Sequence, residues 1–174
     1  MGKVCFPRPV KLIMGIIFNK EDIFYRIKDK LEHKFGKIDL ESNIFPFDKT
    51  NYYEKEMGKD LKRKFLSFKK LIMPDRIAEI KLFTNKLEKI FAPNNKRQIN
   101  LDPGYITDSK LVLATTKNYF HRIYLKKGIY AEVTLYFREG SFRYFDTTYP
   151  DYRTEEYINF FNQVRGLYLR QLKG

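Results

Sequence analysis

The order of extended and helical segments constrains this chain more than any single motif does. Residues 10–18 form an apolar run, and Ile23, Ile27 and Leu31 then recur at helical spacing, with Asn19 placed to cap the helix and Glu21 and Asp22 in its first turn. Gly36 supplies the stop, and residues 37–47 read as extended, with Pro46 putting their end at an edge or a bend. Residues 61–73 read as a strand, a wet one because Lys and Arg alternate along it. Pro74 suits the first turn of a second helix whose apolar stripe is Ile77, Ile80, Phe83, Leu87 and Ile90. Pro93-Asn94-Asn95 ends that helix, and a short strand at 98–101 follows. Strand–helix–strand–strand–helix–strand is the order of a ferredoxin-like unit.

An antiparallel extension follows. Ile129, Ala131, Val133, Leu135 and Phe137 alternate with polar neighbours, the pattern of a half-buried strand. A three-residue loop at Lys126-Lys127-Gly128 pairs Ile123 with Ala131 and Arg122 with Glu132. A two-residue loop would set Ile123 against Glu132 and mix the faces. Glu139-Gly140 makes the next hairpin turn. Thr154 caps a final helix that carries Glu155 and Glu156 in its first turn and Tyr157, Phe160, Phe161, Val164, Leu167 and Tyr168 along one side. The expected architecture is α+β: a largely antiparallel sheet with helices mainly on one face, a ferredoxin-like start, hairpins and a C-terminal helix. Residues 1–174 are expected to form a single domain.

The formal charge of +13 favours polyanionic or phosphate-bearing partners. The excess is spread along the chain, however, and lysines such as Lys28, Lys30, Lys34, Lys69 and Lys70 fall on expected solvent faces. Cys5 is the only cysteine, which excludes an intramolecular disulfide and a cysteine-rich zinc site. His33, on the wet face of the first helix, and His121 are the only histidines, which excludes zinc held by several of them. No apolar run approaches the roughly 18 residues that span a bilayer. Leu12 to Phe18 is short for a signal segment and lacks a small-residue cleavage site, and Phe6 stands where myristoylation wants Ser or Thr. The expectation is a soluble, cytoplasmic protein with no membrane partner.

The chemistry concentrates between residues 100 and 136. Asp102-Pro103-Gly104 has the residue order of a tight turn, which would leave Asn100 and Asp102 at a sheet end, facing a ligand or Mg²⁺, with Tyr105 beside them. Thr115-Thr116-Lys117 ends an apolar strand and offers hydroxyls and an ammonium to a phosphate, to which Arg97 and Arg122 could add bidentate contacts. A strand end with a solvated lysine explains the same triplet. His121 shares a strand face with Ile123 and Leu125, as a hydrogen-bonded core residue or as a general acid–base. Arg122 and Glu132 make a cross-strand ion pair. Tyr124, Tyr130 and Thr134 share that face, which could line a pocket or stack bases. Glu54 and Glu56, beside Tyr52 and Tyr53, share a face only if that stretch is extended. With Asp102 they are the candidate metal acids, and Asp151 near Tyr149 and Tyr152 is a further carboxylate.

Six strings together resemble a bacterial and archaeal domain of unknown function: residues 50–58, 100–105 (Asn-Leu-Asp-Pro-Gly-Tyr), 111–117, 121–125, 128–135 and 148–152. The likeness covers nearly the whole chain. Some members of that family carry the label of GTP-binding protein or regulator, so the resemblance implies guanine-nucleotide binding and no defined reaction. No Gly-x-x-x-x-Gly-Lys-Ser/Thr loop is present. Asn19-Lys20-Glu21-Asp22 matches the Asn-Lys-x-Asp guanine-reading pattern, but no phosphate loop precedes it, and a helix cap explains it.

The leading expectation is therefore a binder of a small phosphate-bearing ligand such as a nucleotide, held without a P-loop, with or without Mg²⁺. The sequence does not decide whether catalysis follows. The alternatives are an RNA-binding module, since a ferredoxin-like sheet is a common RNA platform, and a protein-interaction domain. The leading expectation places the 100–105 segment against residues 115–122 around one pocket.

Overall fold

The computed structural model describes residues 1–173, except for the side chain of Asn95. Its strands are β1 (Lys11–Phe18), β2 (Ile38–Glu41), β3 (Phe45–Pro46), β4 (Lys62–Phe68), β5 (Ile99–Ile106), β6 (Lys110–Thr115), β7 (Ile123–Lys126), β8 (Ile129–Arg138) and β9 (Ser141–Tyr144). The helices are α1 (Glu21–Phe35), α2 (Glu54–Met57), α3 (Ile77–Ile90) and α4 (Glu155–Gln171). The strands form one antiparallel sheet in the order β2-β4-β1-β5-β6-β8-β7, with β3 on the outer edge of β4 and β9 sharing the edge of β8 that β7 occupies. The block β2-β4-β1-β5, with α1 and α3 as its connections, is the expected ferredoxin-like unit, and the fold is α+β.

β1 is buried along its whole length because helices cover both of its faces. Leu12, Met14, Ile16 and Phe18 pack with α1 and α3 on one face, whereas Ile13 packs with Phe65, Leu111 and the aromatic stripe of α4 on the other. Two of the three long helices thus lie on one side, and α4 closes the opposite side. Ile123 stands opposite Ala131 and Arg138 opposite Ser141, as expected. The loop before β8 is shorter than expected, however: Lys126 pairs with Ile129, Lys127-Gly128 makes a two-residue turn with both φ positive, and a bulge at Leu125 takes up the extra residue. Glu139 and Gly140 both take positive φ, 51° and 83°, as a two-residue turn between right-twisted strands requires.

Four further expectations are corrected. β4 is not wet: it lies between β2 and β1, Arg63, Phe65 and Leu66 are buried, and its partly buried basic residues pair with acids, Lys64 with Glu41 at 2.9 Å and Lys62 with Glu21 at 2.7 Å. Asn19 does not cap α1; Lys20 holds that position and the Asn19 amide donates to the Met57 carbonyl at 2.7 Å. Ile90 is 73 % exposed, outside the stripe of α3, because the helix ends there over solvent. Asp102-Pro103-Gly104 is not a turn but the middle of β5, with Gly15 opposite Asp102 and Met14 opposite Pro103.

That last correction has a physical reason. Leu101 points its N–H and C=O away from β1, since the N–H donates to Glu88 Oε1 at 2.7 Å and the carbonyl accepts from Lys81 Nζ at 2.7 Å. Alternation puts the nitrogen of Pro103 on the same side, beyond the point where pairing with β6 stops at Gly104, so no ladder bond is lost to the proline. Gly104 serves close approach rather than a turn: a Cβ there would lie 2.5 Å from the Val112 carbonyl oxygen.

Candidate functional site

β5 and β6 pair only from Gly104 to Ile106 and diverge before it. The split opens a cleft of about 640 Å³, within the range of small-ligand sites. Lys81 and Glu88, a helical repeat apart on the buried stripe of α3, reach into the gap and satisfy the Leu101 backbone in place of a strand. One wall is the Asn100 and Asp102 side of β5, and another is the end of β6 from Leu113 to Lys117 with Glu132 and Arg122 behind it. Phe47, Tyr52, Tyr53, Tyr149 and Tyr152 supply aromatic surface.

At the floor, Arg63 is buried and bridges two carboxylates: Nη1 donates to Asp102 Oδ2 and Nη2 to Asp151 Oδ2, each at 3.2 Å. The Asn100 amide also donates to Asp102 Oδ2 at 2.8 Å, and Lys81 Nζ stands 3.7 Å from Oδ1. Burial alone would raise the Asp102 carboxyl, but Lys81 and Arg63 hold it below the usual carboxylate range. Burial pushes the Asp151 carboxyl up, and Arg63 offsets only part of that. The floor therefore holds two carboxyls on one guanidinium whose surroundings shift them in opposite directions, Asp102 down and Asp151 up. The Tyr152 hydroxyl and Arg63 Nε are buried there without a partner among the described residues.

Arg97 is held away from free solvent by Glu56, in a bidentate contact at 2.6 and 2.7 Å, by Glu88 at 3.0 Å and by the Asn100 carbonyl oxygen at 3.2 Å. Arg122 donates from Nε to Glu132 Oε2 at 2.8 Å, from Nη1 to the Lys117 carbonyl at 3.1 Å and from Nη2 to the Tyr149 hydroxyl at 3.0 Å. Lys117 Nζ donates to the Tyr52 hydroxyl at 2.9 Å and lies 4.3 Å from the centre of its ring. Through that bond and its charge, Lys117 draws the Tyr52 phenol below its ordinary range.

Of the residues singled out from sequence, Arg97, Asn100, Asp102, Thr115, Thr116, Lys117, Arg122 and Glu132 line this one cleft. Tyr105 does not: it is three positions from Asp102 on the same strand, so alternation turns it to the α1 and α3 face, where it packs against the core. Tyr124 lies on the edge strand outside the cleft, its ring 5.4 Å from that of Tyr130. His121 precedes β7 in a turn and does not share a buried face with Ile123 and Leu125, which are exposed. Its Nε2 lies 3.1 Å from Glu132 Oε2, behind the wall. Glu54 and Glu56 fall on the single turn of α2, so the extended spacing that would put both on one face is absent; Glu54 is exposed and Glu56 is occupied by Arg97. Among the described residues no three His, Cys, Asp or Glu side chains group as a metal site.

Sequence reasoning missed Arg63, Lys81 and Glu88, and did not link Asp151 to Asp102. Two signals were present. Gly15 interrupts an otherwise large-residue strand, a mark of close approach, and a Cβ there would lie 2.8 Å from Arg63 Nη1 and 3.2 Å from the Tyr152 hydroxyl. Lys81 and Glu88 are charges seven residues apart on an apolar helix stripe, which is costly without a partner.

A family model described as Domain of unknown function (DUF4416) matches residues 8–168. The chain belongs to this family. Nothing among the curated proteins or the solved structures matches it. In this DUF4416 chain, each of the six strings singled out from the sequence contributes at least one residue to the cleft: Tyr53, Asp102, Lys117, Arg122, Glu132 and Asp151 stand for them in order. Among the described residues no helix is long and apolar enough to cross a membrane.

Proposed function

We propose that this DUF4416 protein binds a small phosphate-bearing ligand of the nucleotide class in the cleft between β5 and β6. The observation that carries the reading is convergence. Segments 50–53, 100–102, 113–117, 122, 132 and 149–152 are far apart in sequence, and their polar side chains surround one space of about 640 Å³. Aromatic surface from Phe47, Tyr52, Tyr53 and Tyr149 suits a planar ring. The Asp102 carboxylate and Asn100 amide suit its polar edge, and Lys117 with the Thr115 and Thr116 hydroxyls suits an anion. A ligand that binds only the folded state at a hundred times its Kd adds about 2.7 kcal/mol. That corresponds to a rise in Tm of about 5–10 °C for a chain of this size. A thermal-shift screen of nucleotides, with and without Mg²⁺, is the test; a flat response to all of them removes the reading.

The RNA alternative loses its platform. RNA modules of ferredoxin-like topology leave one sheet face open for stacked bases. Here α4 and the turn at Pro150–Arg153 cover the face opposite α1 and α3. The protein-interaction reading keeps one specific support: β7 is an edge strand whose Ile123 and Tyr124 are 69 % and 57 % exposed, beside Phe120 at 81 %. Sedimentation of the protein at high concentration tests self-pairing through that edge, and a monomer throughout removes it.

A further inference from the structure

The charges around the cleft are unequal in one respect, and it bears on which phosphate-bearing ligand fits. Arg63 is shared by Asp102 and Asp151, Arg97 by Glu56 and Glu88, and Arg122 faces Glu132. Lys81 donates to the Leu101 carbonyl and stands 3.7 Å from Asp102. Lys49, at the mouth, has Asp48 3.6 Å away, and both are exposed. Each of these cations is offset by an acid of this chain. Lys117 alone among the lining cations has no carboxylate partner among the described residues; it is held by the Tyr52 hydroxyl and ring. It is exposed, and Thr115 and Thr116 precede it directly.

A phosphomonoester carries a charge of about −1.5 to −2 at neutral pH and offers three acceptor oxygens. One ammonium without a carboxylate partner, with two hydroxyls beside it, matches that group. Each additional phosphate brings further negative charge, which would meet the carboxylates of Asp102, Glu132 and Asp151 rather than free cations, at a like-charge cost. No phosphate loop supplies extra backbone donors.

We infer that the cleft takes a ligand with a single phosphate group, of the nucleoside monophosphate class, with the phosphate on Lys117, Thr115 and Thr116, and that it does not favour a triphosphate. The inference rests on the reading that the cleft binds a phosphate-bearing small molecule. Binding displaces Tyr52 from the Lys117 ammonium, since both compete for the same donor. The planar part of the ligand then lies toward Asn100 and Asp102.

Titration calorimetry in Mg²⁺-free buffer with adenosine, guanosine and their mono-, di- and triphosphates tests it on the full chain. The expected result is monophosphate affinity at least tenfold above that of the matching nucleoside, with the triphosphate within about threefold of the monophosphate. Lys117→Met, an exposed change whose fold is checked by an unaltered Tm, should lower monophosphate affinity about tenfold or more, as loss of a charge-assisted contact does. A triphosphate that binds tenfold more tightly than the monophosphate overturns the single-phosphate inference and leaves the nucleotide reading standing. Unchanged monophosphate affinity in Lys117→Met overturns the assigned subsite. No binding by any nucleoside or nucleotide overturns both the inference and the reading beneath it.

Discussion

Arg63 on β4 reaches Asp102 on β5 across the intervening strand β1, Nη1 to Oδ2 at 3.2 Å, and the residue it crosses is Gly15. Cross-strand partners share a face, and Gly15 lies opposite both Phe65 and Asp102, so any side chain there would occupy the guanidinium's path. A Cβ at Gly15 would sit 2.8 Å from Nη1 and 3.1 Å from the Phe65 ring. Gly15→Ala should therefore destabilise the fold by about 1–3 kcal/mol, the usual cost of overpacking a close-packed interior. Urea unfolding measures it; a loss below about 0.5 kcal/mol would show that the guanidinium can move aside without cost.

Removing Arg63 itself should cost more. Asp102 and Asp151 would be left facing each other with only Lys81 nearby, and breaking a buried ion network by deleting one partner costs about 3–5 kcal/mol. Arg63→Met should show that loss in chemical denaturation. The triple variant Arg63→Met, Asp102→Asn, Asp151→Asn should recover most of it, because the penalty lies in uncompensated charge rather than in lost volume. A triple variant as unstable as the single one would place the cost in packing against Phe47 and Phe65 instead.

Much of the fold was legible because it rests on local pattern. The pairing of Ile123 with Ala131 follows from keeping the faces unmixed. The apolar spacings of α1 and α3 settle the ferredoxin-like order in the same way. The period-two alternation expected of β8 does not survive, because a bulge between its pairings with Leu111 and Val112 leaves Val133 exposed and buries Glu132 and Thr134. What was illegible depends on partners distant in sequence. Asp-Pro-Gly reads as a turn because proline cannot join an ordinary ladder, and nothing local says that Glu88 and Lys81 will stand in for the missing strand. The same distance hides Arg63, whose strand reads as wet until Asp102, Asp151 and Glu41 arrive from elsewhere. Eight of the residues chosen for their chemistry meet in the cleft; Tyr105 is lost to it through the strand that replaced the turn.

The two carboxylates on Arg63 should give opposite pH responses. Asp102 is held below its ordinary value of 3.8 in the folded state, so its contribution is present above that pH and is lost as pH falls through the folded value. Asp151 is raised above 3.8, so the folded state keeps a proton that the unfolded chain has released, and stability falls as pH rises from 3.8 through the folded value. Unfolding free energies between pH 3 and pH 6 should thus show a flatter acid limb in Asp102→Asn than in the wild type, and a steeper one in Asp151→Asn. Parallel curves for all three proteins would mean that neither group titrates differently on folding.

The hairpin between β8 and β9 offers a change with the opposite sign. Glu139 holds φ at 51° in the first position of the Glu139-Gly140 turn, a conformation that costs a β-carbon-bearing residue about 1–2 kcal/mol and is least costly for glycine and asparagine. Its ion pair with Arg138 at 3.3 Å joins two side chains about two-thirds exposed, and pairs of that kind contribute little. Asparagine before glycine is the preferred residue for such a turn. Glu139→Asn should therefore stabilise the protein by about 0.5–1 kcal/mol. In a chain of this size that raises Tm by about 1–4 °C. Calorimetry of the purified variant checks it, and a Tm at or below that of the wild type would mean that the turn draws its stability from the flanking strand pairs rather than from its own backbone.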